Sequence, residues 1–163
     1  MLTAIQGERF IKKLGTESFH ERIRIAEKYK KQWELTESEF QPALSINNLV
    51  FFAVSKQYGK VILKVLINFN GFDNEILALK SFQGENFCKL YAYSFEDNVY
   101  IMERIIPADT LYESAPRNER VKIAGEIFKG LHKANLPDCP FPTYAEWVQE
   151  GKEGTKNRSD CEE

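Results

Sequence analysis

Cysteine and histidine are scarce in this sequence, and long apolar runs are missing altogether. The three cysteines, Cys88, Cys139 and Cys161, form no C-x-x-C pair, and the only histidines are His20 and His132. Neither a disulfide framework nor a structural zinc site is therefore expected, and the cysteine usage fits a reducing cytoplasm. No stretch approaches the roughly eighteen apolar residues that a spanning helix needs. The opening Met1-Leu2-Thr3-Ala4 also lacks the basic and apolar regions of a signal peptide, so a cytoplasmic location without a membrane partner is expected. Nine glycines and six prolines are too few for a collagenous or low-complexity chain. Charge of one sign is missing as well. Lys and Arg total 22 against 24 Asp and Glu, a net charge of −2, which gives no bulk attraction to nucleic acid.

What the 163 residues do contain is a globular composition, 43% apolar and 28% charged, enough for one ordinary domain with a real core. A short helix is expected over Glu8–Leu14, closed by Gly15. A second follows from a capping box, Ser18-Phe19-His20-Glu21, and runs to Trp33. Phe19, Ile23, Ala26 and Trp33, with Ile25 and Tyr29 alongside, would face a core; Arg22, Lys28, Lys30 and Lys31 would face water. From Leu44 the period becomes that of strands. Asn48–Lys56 and Val61–Ile67 read as a hairpin around Gln57-Tyr58-Gly59-Lys60, and Phe87–Ser94 and Asn98–Ile106 as a second around Glu96-Asp97. Between them Asp73 would cap a short helix over Asn74–Phe82. Arg117–Ala134 carries the strongest helical stripe, Val121, Ala124, Ile127, Phe128 and Leu131, and Tyr144–Gln149 would add one turn. The fold class is α+β: a twisted antiparallel sheet of about four or five strands with one helix packed behind it, helices before it and a long helix after it.

Lys64 is the residue that points to chemistry. It lies within Val61-Ile62-Leu63-Lys64-Val65-Leu66-Ile67 and shares a strand face with Ile62 and Leu66. An ammonium on such a face either snorkels to water from an edge strand or pairs with an acid, and Glu75, in the first turn of the next helix, could fold back to reach it. A strand lysine paired with a helix glutamate orients nucleotide phosphates in kinase-like folds. Val99-Tyr100-Ile101-Met102-Glu103-Arg104-Ile105 then runs out into Pro107, where such folds expose the backbone that reads adenine. Other motifs fail. Gly125–Gly130 imitates the start of a phosphate-binding loop, but Leu131-His132 stands where Lys-Ser/Thr is needed.

The order of hairpin, Leu63-Lys64-Val65, Asn74–Leu79, hairpin, Ile101–Pro107, and a helix ending Gly130-Leu131-His132-Lys133-Ala134 resembles the aminoglycoside phosphotransferases. It is most similar to the streptomycin and hydroxyurea resistance kinases, which Lys31–Leu35 and Phe141–Trp147 also resemble. The likeness extends from about Phe10 to Gln149. It implies ATP as cofactor and a nucleotide and an aminoglycoside-like small molecule as partners; no nucleic acid is expected, from the balanced charge. By this resemblance Lys64 would hold the α and β phosphates with Glu75 as its partner. Met102 would be the gatekeeper, the Glu103 carbonyl and Ile105 amide would bind adenine, and Ile62 and Val65 would lie on or near the roof. Ser45, Asn47 and Asn48 would form the turn over the phosphates, in a stretch with no glycine between Gln41 and Tyr58.

The sequence departs from the family at the catalytic loop. His-Gly-Asp-x-x-x-x-Asn and the later metal-binding Asp are missing, so no catalytic or metal-ligating residue is assigned and magnesium would be held only if a C-terminal lobe supplied its ligands. The chain is then expected to divide into a helical leader over 1–40, a kinase-like N-lobe over 41–107, the start of a C-lobe over 108–149 and, from its charged composition, a disordered tail over 150–163. The chain reads as a truncated phosphotransferase, inactive alone, or as a non-catalytic nucleotide-binding or interaction remnant of one.

Overall fold

The structure, a computed structural model, describes residues 4–41, 45, 48–67, 71–82, 84, 86–107, 109–131 and 145. Two helices lead, α1 (Ala4–Leu14) and α2 (Thr16–Gln32), followed by strands β1 (Leu35–Phe40), β2 (Asn48–Ser55) and β3 (Gly59–Leu66). Helix α3 (Phe72–Phe82), strands β4 (Leu90–Ser94) and β5 (Val99–Glu103), and helices α4 (Leu111–Ser114) and α5 (Arg117–Leu131) complete the order. The five strands form one antiparallel sheet in the order β1-β2-β3-β5-β4.

Strand alternation divides the core in two. Along β3, Leu63 and Val65 point to one face while Lys64 and Leu66 point to the other; along β5, Val99 and Ile101 oppose Tyr100 and Met102. The outer face is sealed by Phe10, Phe19, Ile25, Ala26 and Tyr29 of α1 and α2, packed on Leu49, Phe51, Leu63, Val65, Val99 and Ile101. The inner face carries α3, whose Phe72, Ile76 and Leu79 bury against Leu66 and Tyr100. Burying an aliphatic or aromatic side chain of this kind contributes about 1.5–3 kcal/mol, so the helices are held by the sheet more than by their own propensity.

Several local expectations change. Helix α2 begins at Thr16, ahead of the Ser18–Glu21 capping box, because Gly15 turns the chain at φ 81° directly from α1 into α2; no side-chain cap is made. Lys30 is not on a solvated face: its side chain is 12% exposed and its ammonium sits 3.9 Å from the Phe51 ring centroid. Arg22 is also half-buried, and its desolvation lowers its pKa despite nearby Glu21 and Asp97. Helix α3 starts at Phe72, which places Asp73 in its first turn. The second hairpin is shorter than expected at both ends, and Pro107 follows a cis peptide bond.

Strand β1 had no counterpart in the sequence pattern and occupies the end of the supposed helical leader. It pairs with β2 through a bulge between Thr36 and Glu39, with Glu37 at φ 48°. Four of its six residues are exposed, which suits an edge strand. The largest departure is α5, none of whose residues is buried: Val121 is 82% and Phe128 60% exposed. Its last turn does approach the rest of the chain, since a Cβ on Gly130 would collide with the Asn86 side chain. The expected turn at Tyr144–Gln149, apart from Ala145, and the expected disordered tail lie outside the described residues.

Candidate functional site

Strand β3 is internal, flanked by β2 and β5, so the edge-strand reading of Lys64 does not hold. The Lys64 ammonium forms an ion pair with Glu75 Oε1, and the two side chains are 16% and 34% exposed. The geometry follows from register and helix placement. Lys64 points to the inner face, and α3 lies across that face with Ile76 and Leu79 buried, which brings Glu75, in the first turn, over the strand. An ammonium this far from water needs such a partner.

Tyr100 completes a cluster that the sequence reading missed. It stands opposite Lys64 in the β3–β5 register, and the Lys64 ammonium lies 5.5 Å from its ring centroid. Its hydroxyl is hydrogen-bonded to Glu75. Burial, and then the Glu75 charge and hydrogen bond, push its pKa far above the usual phenol range, so it stays a neutral donor. Glu75 is thus held by a cation and a hydroxyl from adjacent strands. The available signal was the alternation of Val99-Tyr100-Ile101, which sets Tyr100 on the face opposite two aliphatic neighbours.

Arg104, just beyond β5, is the second missed residue. Its guanidinium carbon lies 3.6 Å from the Phe52 ring centroid. Phe52 pairs with Ile62 in the β2–β3 register, two residues along from the Val50–Lys64 pair, so it shares the face of Lys64. Arg104 Nε is buried and has no hydrogen-bond partner among the described residues. A buried donor left unmade costs about 1–3 kcal/mol, which marks this as a place where an acceptor would be favourable.

The other sequence candidates distribute as follows. Met102 is on the inner face opposite Ile62 and packs against the α3 cluster. Glu103 ends β5; its N–H donates to the Lys89 carbonyl at 2.8 Å and its carboxylate accepts from the Lys89 N–H at 3.2 Å. Ile105 is past the strand and 54% exposed. Ser45 Oγ accepts from the Asn48 N–H at 3.1 Å, and Asn48, opposite Leu66, opens β2 on the inner face. Asn47 lies outside the described residues. Val65 points into the outer core, fully buried, and so cannot line this face. Cys88 is a free, half-buried thiol whose pKa is raised by burial and then by Glu103.

Lys64 and Arg104 therefore lie on one sheet face, together with the aromatic ring of Phe52 and the apolar side chains Ile62 and Met102. Two cations beside a flat apolar surface can bind an anion carried on a planar group. Among the described residues no group of three His, Cys, Asp or Glu could hold an ion. No described helix is long and apolar enough to cross a membrane. Compared with known proteins, the chain matches no protein-family model and finds no significant match among curated proteins.

Proposed function

We propose that this chain is the nucleotide-binding portion of an ATP-dependent phosphotransferase of the aminoglycoside or streptomycin kinase type, acting on an alcohol group of a small molecule and inactive alone. The observation that carries the reading is the Lys64–Glu75 pair on the central strand, with Tyr100 as second partner of the carboxylate. Lys64 would hold the nucleotide's phosphates while Glu75 fixes its ammonium. Phe52, Ile62 and Met102 would cover the base, with the Glu103 carbonyl and Ile105 amide at its edge and Ser45, Asn47 and Asn48 near the phosphates. ATP fits this face through its charge and its planar base. Arg104 would swing from Phe52 to a phosphate or stack on the base, which gives its orphan Nε an acceptor.

Phosphoryl transfer needs groups that position the acceptor hydroxyl and neutralise charge developing at the γ-phosphate. Lys64 would stabilise bound phosphates before and during transfer alike, and uniform binding does not raise the rate of the chemical step. The exposed apolar residues of α5, Val121, Ile127 and Phe128, fit a helix made to be covered by further protein. That speaks against a self-contained nucleotide-binding remnant, whereas a truncated kinase and an interaction remnant of one both carry such a face. Calorimetry with ATP and magnesium tests it: a dissociation constant of about a millimolar, weakened by Lys64→Ala, is expected, with no phosphorylation of streptomycin. Micromolar affinity, no binding at all, or turnover by the chain alone would overturn it.

A further inference from the structure

A concavity lies between α3 and the edge strand β4, and none of the candidate site residues lines it. Its volume is about 550 Å³, and Leu79 and Lys80 of α3, Lys89, and Leu90, Tyr91 and Tyr93 of β4 form its walls. That volume is within the roughly 300–1,000 Å³ range of small-molecule sites. The groove exists because β4 bulges. Leu90 pairs with Met102 and Ala92 with Ile101, so Tyr91 is an extra residue with no partner in the ladder. The bulge sends Tyr91 to stack on Tyr58 at 4.3 Å, while Leu90 and Tyr93 turn toward α3. An opening remains between the edge strand and the helix.

The charge of this opening is one-sided in its cations. Lys80 Nζ donates to the Tyr93 hydroxyl at 2.6 Å and lies 4.4 Å from that ring's centroid, a neutral arrangement that leaves its charge uncompensated. Lys89 shares the rim. Among the described residues no carboxylate pairs with either ammonium. Glu103 accepts the Lys89 backbone N–H, which puts an acid beside Lys89; Lys80 stands on α3, across the groove from β4.

We infer that the groove between α3 and β4 binds a small amphipathic anion, a flat aromatic body bearing a carboxylate, with the ring between Leu79, Leu90 and Tyr93 and the carboxylate on Lys80. A charge-assisted bond to Lys80 replaces its bond to a neutral phenol, and the apolar walls desolvate the ring. Glu103, beside Lys89, favours the carboxylate on Lys80. This inference does not depend on the nucleotide reading, because the groove shares neither Lys64 nor Phe52. It does adjoin the same helix: Leu79 is one turn beyond Glu75.

Calorimetric titration with 2-naphthoate tests the site, with neutral 2-naphthylmethanol as comparison. The wild-type chain binds naphthoate with a dissociation constant of about a millimolar or tighter, and naphthylmethanol at least about tenfold more weakly. Lys80→Gln, at an exposed position, lowers naphthoate affinity about tenfold or more with an unchanged circular dichroism spectrum. Phe128→Ser, which removes exposed apolar surface on α5, leaves the affinity as it was. Equal binding of the alcohol, no effect of the Lys80 substitution, or loss of binding in Phe128→Ser would each overturn the inference.

Discussion

Lys64 and Tyr100 face each other across β3 and β5, and both reach the same carboxylate, that of Glu75 on α3. The sheet therefore holds α3 through two polar attachments as well as through Ile76 and Leu79. Breaking either one leaves a partly buried polar group short of a partner.

Glu75→Gln is expected to destabilise the fold by about 1–3 kcal/mol, since it strands an ammonium that is mostly out of water. The double variant Lys64→Met/Glu75→Leu should cost less than the single change Glu75→Leu, because it leaves no orphan charge and only the Tyr100 hydroxyl, common to both, without its acceptor. Urea denaturation midpoints measure both. A Glu75→Gln variant within about 0.5 kcal/mol of wild type would place the pair among weak surface bridges.

Tyr100 gives the fold an alkaline limit. Its folded pKa lies above its ordinary value of about 10, so above that pH the unfolded chain releases a proton that the folded chain keeps. The stability linked to this group is complete below pH 10 and is lost as pH rises, by up to about 1.4 kcal/mol per unit. Tyr91 is shifted the same way, so the measurement is the difference between wild type and Tyr100→Phe in unfolding free energy from pH 8 to 11.5. Parallel curves would show that Tyr100 titrates freely.

At acid pH the relevant contact joins α2 to the β4–β5 turn. Lys28 Nζ meets Asp97 Oδ2 at 2.6 Å, and this hydrogen bond, with a further one from Tyr29, holds the Asp97 carboxyl below its ordinary 3.8. A depressed pKa contributes stability above the unfolded value and loses it as pH falls through the folded one. A carboxyl-carbon NMR titration should give Asp97 a midpoint below 3.8 that rises in Lys28→Met. An unchanged midpoint would remove the link between α2 and the turn.

Substitution should separate the true core from the helix that only looks like core. Leu63→Ala and Ile76→Ala, at 0% and 1% exposure, are expected to cost about 2–5 kcal/mol. Val121→Ser and Phe128→Ser, on α5, should each change stability by about 0.5 kcal/mol or less. A large loss on α5 would mean that its apolar face is covered.

That contrast shows where sequence reading succeeds. Alternation along Val61–Ile67 and Val99–Ile105 located both central strands, and an ammonium on an apolar face pointed to Glu75 because burial of a lone charge is so costly. Strand β1 was invisible because an edge strand with four exposed polar residues has no apolar alternation to detect. Tyr100 was hidden among core aromatics: its role depends on register, which pairs it with Lys64 and which no single-strand pattern specifies. The α5 stripe was legible as an amphipathic face, but periodicity says only that a face is apolar and cannot say what covers it.

Nucleotide binding at the inner face is tested most directly by amide-resolved NMR titration with ATP and magnesium. Shifts concentrated at Lys64, Glu75, Met102, Arg104 and Ile105, saturating at about millimolar ATP and absent from Lys64→Ala, are the predicted result. Shifts scattered over exposed lysines such as Lys31, Lys56 and Lys60, unchanged by Lys64→Ala, would contradict it.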